Sequence, residues 1–282
     1  MNFEKVNSWA KVNLSLNVIK RLSSKYHNIE SLITFIKIYD EIKIKISNER
    51  EHKIYFTGKF SKGIPKNNTI IKLLNLLEKK KIIKNKKFEI KIKKNIPQKS
   101  GMGGGSMNAA SVLKYLMKKK IITISNKKAI EMAYKVGSDV ALGLERKNSI
   151  LFKNGKVGRL ENKINFHVLI VKPNIDCSTK DIYANVRKYS KPLYNNKSKR
   201  FFEKSYLAQS GNDLENVVFK KYPKIKNLKY FISNLPNILF TRMTGSGSAL
   251  VAYFKSEKAA NSAAKVFKSK YKNYWYIVSK TI

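Results

Sequence analysis

The run Ser100-Gly101-Met102-Gly103-Gly104-Gly105-Ser106-Met107-Asn108-Ala109-Ala110 crowds its glycines in front of a helical pattern. Glycine there allows positive φ and lets the backbone approach a ligand with no side chain in the way. Ala109, Val112, Leu113, Leu116 and Met117 recur at helical spacing, so a helix is expected to open near Gly105. Its free N–H groups and the positive end of its dipole would meet the loop, an arrangement that suits phosphate. A plain tight turn is the alternative reading. The phosphate site is preferred because the loop, Ser106 and the helix occur together. Two further patches could join it, Ala10-Lys11-Val12-Asn13-Leu14 and Gly245-Ser246-Gly247. No G-x-x-x-x-G-K-[ST] run occurs, and neither does H-R-D or D-F-G. The loop is therefore not of the Walker type, and the chain is not a eukaryotic-type protein kinase.

The elements that must hold these patches can be read from periodicity. Val6 to Ile19 has strand character, and Glu41 to Ile46 alternates strictly, with His52 to Thr57 expected as its hairpin partner. Thr69 to Lys80 reads as a helix and Phe88 to Ile92 as a strand leading through Asn95-Ile96-Pro97 into the glycine loop. Asn126 to Val136 reads as a helix with Ser125 as N-cap and Gly137 closing it. Short strands are expected at Ser149 to Phe152 and Phe166 to Val171. After Pro173 helices are expected at 179–189, 199–209, 213–221 and 224–234. Strands then follow at Ile238 to Thr241 and Ala249 to Phe254, a helix at Glu257 to Lys268, and a last strand at Tyr274 to Val278. The texture change near Pro173 predicts two α+β lobes, 1–172 and 173–282. Lys191 to Arg200, rich in Lys and Asn, is expected to be a mobile loop.

With 282 residues, 43% of them hydrophobic, the chain can bury an ample core. Lys interrupts every apolar run that could otherwise span a bilayer, and the start lacks the layout of a signal peptide. Cys177 is the single cysteine, which excludes an internal disulfide framework and a cysteine-based zinc site. A soluble, cytoplasmic protein with no membrane partner is expected. The formal net charge of +41 would ordinarily suggest nucleic acid. Yet the lysines are spread through nearly every segment beside abundant Ile and Asn. All three have A/T-rich codons, so the charge reads as genome composition and no specific nucleic-acid partner is expected.

Lys11 in A-K-x-N-L, Tyr26-His27, the P-x-x-x-G-x-G-G-G-S-x-N-A-A run from Pro97, Gly137-Ser138-Asp139-Val140 and Arg242-Met243-Thr244-Gly245-Ser246-Gly247 stand in a set order. In order and spacing, over roughly Ser8 to Phe254, they resemble the GHMP kinase superfamily. A-K-x-N-L, Tyr-His and G-[AS]-D-V are most similar to the members that phosphorylate a cytidine diphosphate derivative. The resemblance implies an α+β fold of two lobes, the N-terminal one like ribosomal protein S5 domain 2 and the C-terminal one ferredoxin-like. It implies ATP- and Mg²⁺-dependent phosphorylation of the 2-hydroxyl of a methylerythritol group, in the non-mevalonate route to isoprenoid precursors. Its partner would be that small-molecule cytidine diphosphate substrate, and the enzyme a monomer or homodimer.

By position, the resemblance makes Asp139 the general base and Lys11 its partner. Taken alone, Asp139 reads as a cap on the next segment; with Lys11 the catalytic reading is preferred. Pro97, Gly101, Gly103, Gly104, Gly105, Ser106 and Asn108 would surround the ATP phosphates, with Ser106 a candidate Mg²⁺ contact and Asn68 near the adenine. Asn13, Tyr26, His27, Thr179 and Tyr183 would bind substrate, with Gly245, Ser246 and Gly247 closing near the phosphates or bracing the glycine loop. Tyr183 could stack on the cytosine or simply pack its helix. The chain departs from the family at Lys99-Ser100, usually a small Gly-Ala pair. It departs again at Ala141-Leu142-Gly143, usually proline and an aromatic, and at Arg146-Lys147-Asn148-Ser149 in place of a glycine-rich hairpin. Two other readings remain: another GHMP kinase acting on homoserine, mevalonate or a sugar, and a polyanion-binding protein on a decayed kinase scaffold.

Overall fold

The computed structural model describes residues 2–23 and 26–282. Two compact units organise the chain: Met1–Lys11, Ile38–Gln98 and Gly103–Arg146 form the first, and Val12–Lys37, Lys99–Met102 and Lys147–Ile282 the second. The second unit thus draws on residues before the division expected near Pro173. The reason is that two strands, β1 (Glu4–Arg21) and β2 (His27–Ser47), are each far longer than a single sheet needs and supply both units. Among the described residues no helix is long and apolar enough to cross a membrane.

In the first unit, β4 (Lys87–Lys93) lies antiparallel to the end of β2, with Ile42 facing Ile92, Ile44 facing Ile90 and Ile46 facing Phe88. The strict alternation of Lys and Ile puts every isoleucine on one face, as a half-buried strand requires. β3 (Lys53–Thr57) runs parallel to β4 and makes no hairpin with β2, contrary to expectation. Loop 48–52 takes the chain past β2, and β4, arriving later, fills the position beside it. Helices α1 (Thr69–Lys79), α2 (Gly104–Lys118), α3 (Asn126–Val136) and α4 (Ser138–Gly143) complete the unit. Leu73, Leu74 and Leu77 of α1 and Val112, Leu113 and Leu116 of α2 join the sheet isoleucines in one core. Ser125 caps α3 by accepting from Lys128 N–H, and Gly137 closes it, both as read from the sequence.

Helix α4 has no counterpart in the sequence reading, since six residues are too few to reveal a period. Its last residue, Gly143, one of the departures from the family, has a packing reason. A Cβ there would lie 2.6 Å from Ala110 Cβ and 3.0 Å from Met107 Sδ on α2. Gly143→Ala is therefore expected to destabilise the protein by about 1–3 kcal/mol through overpacking, against a helix-propensity gain of about 1 kcal/mol. A urea midpoint unchanged or raised in this variant would refute the close approach.

The second unit holds the four-stranded antiparallel sheet β10-β7-β9-β8, from β7 (His167–Lys172), β8 (Ile238–Met243), β9 (Leu250–Phe254) and β10 (Trp275–Lys280). Helices between β7 and β8, and α9 (Glu257–Lys270) between β9 and β10, give the βαββαβ order of a ferredoxin-like unit. Leu169, Val171, Leu250 and Ala252 meet Leu214 and Val218 of α7 (Leu214–Lys221), Ile225 and Leu228 of α8 (Pro223–Ser233) and Phe267 of α9. The first half of β2 pairs with β5 (Asn148–Leu151), which pairs with β6 (Val157–Leu160). Arg146-Lys147-Asn148-Ser149 opens that hairpin. There Asn148 accepts from Thr34 Oγ1 at 2.7 Å and donates to the Asn162 carbonyl at 2.7 Å.

The helix expected over 179–189 stops early, as α5 (Thr179–Ala184), and that over 199–209 divides into a 3₁₀ turn (Lys199–Phe202) and α6 (Lys204–Gln209). The loop expected to be mobile is tethered. Tyr194 is buried with its hydroxyl 2.7 Å from Ser15 Oγ, and the N–H groups of Leu193 and Tyr194 donate to the Glu30 carboxylate. His52 and His167 serve strands, as expected. His52 stacks on Phe88 and accepts from its N–H, and His167 opens β7. Cys177 is buried, and burial pushes its thiol up to about 11, so it stays protonated and inert.

Candidate active site

Within the first unit, β1 carries Lys11 and the first turn of α4 carries Asp139, and the two side chains meet. Lys11 Nζ lies 3.3 Å from Asp139 Oδ2. The ammonium is the buried partner, its side chain 5% exposed, whereas the carboxylate is 37% exposed. Asp139 donates no cap to its helix, because the N-cap is Gly137 and no side-chain bond is made there. That geometry sets a carboxylate beside a cation and leaves it open on one side to an incoming hydroxyl.

The glycine loop ends against this pair. Gly103, the N-cap of α2, takes a left-handed conformation with φ 68°. A Cβ on it would sit 3.0 Å from Lys11 Cε, 3.1 Å from Lys11 Cγ and 3.6 Å from Asp139 Oδ2. No side chain caps α2. Since the helix's first internal bond runs from Met107 N–H to the Gly103 carbonyl, the N–H groups of Gly104, Gly105 and Ser106 are left over by the helix itself. Such a terminus presents oriented donors and a partial positive charge to an anion. Thr69, which the sequence reading passed over, donates from Oγ1 to the Gly105 carbonyl at 2.7 Å and so ties α1 to the loop.

Lys94 and Asp40 add a buried ion pair on the other side of the loop. Asp40 Oδ1 also accepts from the N–H groups of Asn95 and Ile96, at 2.8 and 2.9 Å. A Cβ on Gly104 would come within 3.4 Å of Lys94 Nζ. The carboxylate compensates that ammonium and fixes the Asn95-Ile96-Pro97 approach. Pro97 and Asn108 are both buried, the latter inside α2. Asn68 N-caps α1, accepting from Ile70 and Ile71 N–H while its amide nitrogen donates to the Pro65 and Lys66 carbonyls.

Within the second unit, the Gly245-Ser246-Gly247 turn gathers several of the expected residues. Asn13 Oδ1 accepts from Gly245 N–H at 3.0 Å, the Asn13 N–H donates to Thr244 Oγ1 at 3.1 Å, and Asn13 Nδ2 donates to Ser31 Oγ at 2.7 Å. Thr179 Oγ1 lies 2.8 Å from Ser246 Oγ. The turn braces the start of the glycine loop. Thr244 Oγ1 donates to the Gly101 carbonyl, and the N–H groups of Ser248 and Ala249 donate to the carbonyls of Lys99 and Ser100. Asn212, unforeseen from the sequence, is buried and donates through Nδ2 to the Met243 and Gly245 carbonyls, both at 2.8 Å. A lone Asn gives no signal in a sequence when its partners stand some thirty residues away.

Lys99, beside the loop, is ion-paired. Its ammonium pairs with Asp176 at 3.2 Å, and Lys172 reaches the same carboxylate at 3.0 Å. Burial pulls the Asp176 carboxyl upward, but Lys172 and Lys99 outweigh it and hold the group below the usual carboxylate range. His27 packs its ring 5.3 Å from that of Tyr183. Burial and, less strongly, Arg21 depress its imidazole below the ordinary value, so it is neutral at physiological pH. Its Nε2 is buried and has no hydrogen-bond partner among the described residues. Tyr26 is 75% exposed.

Known proteins resemble this chain in sequence and in fold. A family model described as GHMP kinases N terminal domain matches residues 68–146, and one described as GHMP kinases C terminal matches 193–273. A 4-diphosphocytidyl-2-C-methyl-D-erythritol kinase of Pelagibacter ubique is 52% identical over 282 residues, covering 100% of both chains. One of Francisella tularensis is 30% identical over 246 residues, 87% of this chain and 85% of that one. A crystal structure of 4-(cytidine 5'-diphospho)-2C-methyl-D-erythritol kinase superposes with a TM-score of 0.79 over 99% of this chain and 100% of the other, at 21% identity, and shares its fold. Full-length identity of this order leaves one conclusion: the chain belongs to the GHMP kinase family, among its 4-diphosphocytidyl-2-C-methyl-D-erythritol kinases.

Proposed function

We propose that the protein transfers the γ-phosphoryl group of ATP to the 2-hydroxyl of 4-diphosphocytidyl-2-C-methyl-D-erythritol, releasing ADP and the 2-phosphate. The observation that carries this reading is the Lys11–Asp139 pair, 3.3 Å apart, against the left-handed Gly103 at the mouth of α2. A tertiary alcohol is a weak nucleophile, so its proton must leave as attack proceeds. The Asp139 carboxylate takes that proton, the freed oxygen bonds to the γ-phosphorus, and the bond to ADP breaks. Lys11 holds the carboxylate by its ion pair and places positive charge where negative charge gathers on the transferring group.

Gly104, Gly105 and Ser106 offer the phosphates the N–H groups that α2 leaves over, and the absence of Cβ atoms keeps that approach open. Among the described residues no cluster of three or more His, Cys, Asp or Glu could hold a metal ion. That donor set fits Mg²⁺ carried on nucleotide phosphates, which needs only one or two protein oxygens. Ser106 and Asp139 are the residues that would face it. Mg²⁺ bound with ATP would supply neutralisation of phosphate charge. Tyr26, His27 and Tyr183 would receive the cytosine. The orphaned Nε2 of His27 supports this, since a buried polar atom without a partner is costly unless a ligand completes it. Asn13 and Thr179, gathered at the Thr244-Gly245-Ser246 turn of the second unit, would bind substrate, while Asn68 is read as a helix cap first.

A coupled ADP-release assay tests the function. Turnover is expected with 4-diphosphocytidyl-2-C-methyl-D-erythritol, and at least about 100-fold lower kcat/KM with homoserine, mevalonate or galactose, whose lack of the base leaves buried polar groups unpaired. Comparable rates with any of those alcohols would assign the chain to another GHMP reaction.

A further inference from the structure

Gly211, Asn212 and Asp213 join α6 to α7 and cross β1 at Leu16 in the second unit. Leu16 N–H donates to the Gly211 carbonyl, and Asp213 N–H donates to the Leu16 carbonyl, both at 2.9 Å. Between them Asn212 is buried, and both hydrogens of its amide are used. Nδ2 donates to the carbonyls of Met243 and Gly245, while Oδ1 accepts from Leu214 N–H at 3.0 Å. The first carbonyl belongs to the peptide entering Thr244, the second to the peptide leaving Gly245. One side chain therefore fixes the backbone on both sides of Thr244-Gly245.

Those two residues are the ones through which the turn reaches its neighbours. Thr244 Oγ1 accepts from Asn13 N–H and donates to the Gly101 carbonyl, and Gly245 N–H donates to Asn13 Oδ1. Gly245 has φ 52°, and a Cβ on it would lie 3.1 Å from Gly101 Cα, so turn and loop meet backbone to backbone. We propose that Asn212 is a positioning residue of the phosphoryl transfer. By holding two carbonyls it aims the Thr244 hydroxyl and the Gly245 N–H, and through them it seats Gly101, at the start of the glycine loop, and Asn13. The inference rests on the kinase reading above. The task needs two donors and an acceptor on one short, planar, uncharged side chain, which describes asparagine; ionised aspartate has the same shape and no donor.

The test compares Asn212→Asp with Asp213→Ala in the full chain, with ATP and 4-diphosphocytidyl-2-C-methyl-D-erythritol, on folded protein well below each thermal midpoint. Asp213 accepts from Val18 N–H and Ser190 Oγ, so its removal loosens the same crossing away from the turn. Asn212→Asp is expected to lower kcat/KM for ATP about 100-fold, as a displacement of about an ångström does. Asp213→Ala should lower the thermal midpoint and leave kcat/KM for ATP unchanged. The introduced carboxyl supplies a second readout. Burial, the two carbonyl oxygens and the Glu215 carboxylate, which accepts from Met243 N–H at 2.8 Å, all push its pKa up, with Arg242 close to Glu215 opposing them. Once protonated it can donate to one carbonyl again. The ratio of variant to wild-type kcat/KM should then rise at least about fivefold between about pH 8.5 and about pH 6.5, a ratio in which the titrations common to both proteins cancel.

A ratio flat with pH, or an equal loss in Asp213→Ala, would mean that Asn212 only supports the fold. If Asn212→Asp does not fold, Asn212→Ser replaces it: one hydroxyl hydrogen serves one carbonyl at most, and kcat/KM for ATP should fall about tenfold. A wild-type value in that variant overturns the proposal. A wild-type protein that fails to turn over 4-diphosphocytidyl-2-C-methyl-D-erythritol would bring down the kinase reading and this inference together, whereas an active wild type with unaffected variants brings down the inference alone.

Discussion

Asp139→Asn is expected to lower kcat by about 10³-fold, within the range that general-base groups supply, while KM for ATP changes less than about threefold. Asparagine keeps the shape of the side chain and can still accept from Lys11, but it cannot take the proton of the 2-hydroxyl. One complication is built into the pair. Lys11 is the buried member, and removing the Asp139 charge takes an ion-pair partner from it, so the variant should also lose stability. The double variant Lys11→Met/Asp139→Asn separates the two effects. It removes the buried charge together with its counter-charge and should regain thermal stability without regaining turnover. Wild-type-like kcat in Asp139→Asn, measured on folded protein that still binds ATP, would remove this carboxylate from the chemistry.

Much of this site was legible because its parts are local. The glycine loop, the helix after it and the cap of α3 each depend on neighbours a few residues apart, and periodicity reports such neighbours well. Alternation likewise marked Glu41 to Ile46, since one face of that stretch is buried and the other is not. The preceding half of β2 escaped notice for the opposite reason. Glu30, Ser31, Leu32, Ile33 and Thr34 are all buried, so no apolar–polar alternation survives to signal a strand. Pairing was less readable than existence. The strand after Ile46 looked like a hairpin partner, but a chain order says nothing about a later strand entering between two earlier ones.

The roles of buried polar residues were hidden more deeply. Lys11 and Asp139 are linked in the sequence only through a family resemblance, because 127 intervening positions erase any spacing rule. Thr69, Asn212 and Thr244 act through bonds to distant carbonyls, and a residue type alone does not reveal them. Lys99 makes the same point. Its place beside the glycine loop does not reveal that its ammonium pairs with Asp176, a carboxylate that Lys172 shares. Local composition locates a charge, whereas only tertiary structure reveals its partner.

The bracing of the glycine loop makes Gly101→Ala the second variant with a large expected effect. Gly101 has φ +76°, and a Cβ there would fall 1.9 Å from the Thr244 carbonyl oxygen and 2.7 Å from its carbon. These are backbone atoms, so no side chain can rotate away. The loop or the Gly245 turn has to move by about an ångström, a displacement that can cost about 100-fold in rate. We expect kcat/KM to fall by that order and the thermal midpoint to drop. Backbone strain alone would also destabilise, by about 1–2 kcal/mol for an L-residue in the left-handed region. Gly155→Ala supplies the comparison, because Gly155 has φ +79° and nothing within 4 Å of its would-be Cβ. It lies in the turn between β5 and β6, so Gly155→Ala should show the strain cost in stability with kcat/KM unchanged. If the two variants lose activity alike, the contact between Gly101 and Thr244 does not position the phosphate loop. If only Gly101→Ala loses it, the Thr244-Gly245-Ser246-Gly247 turn acts on the reaction by holding the loop in place.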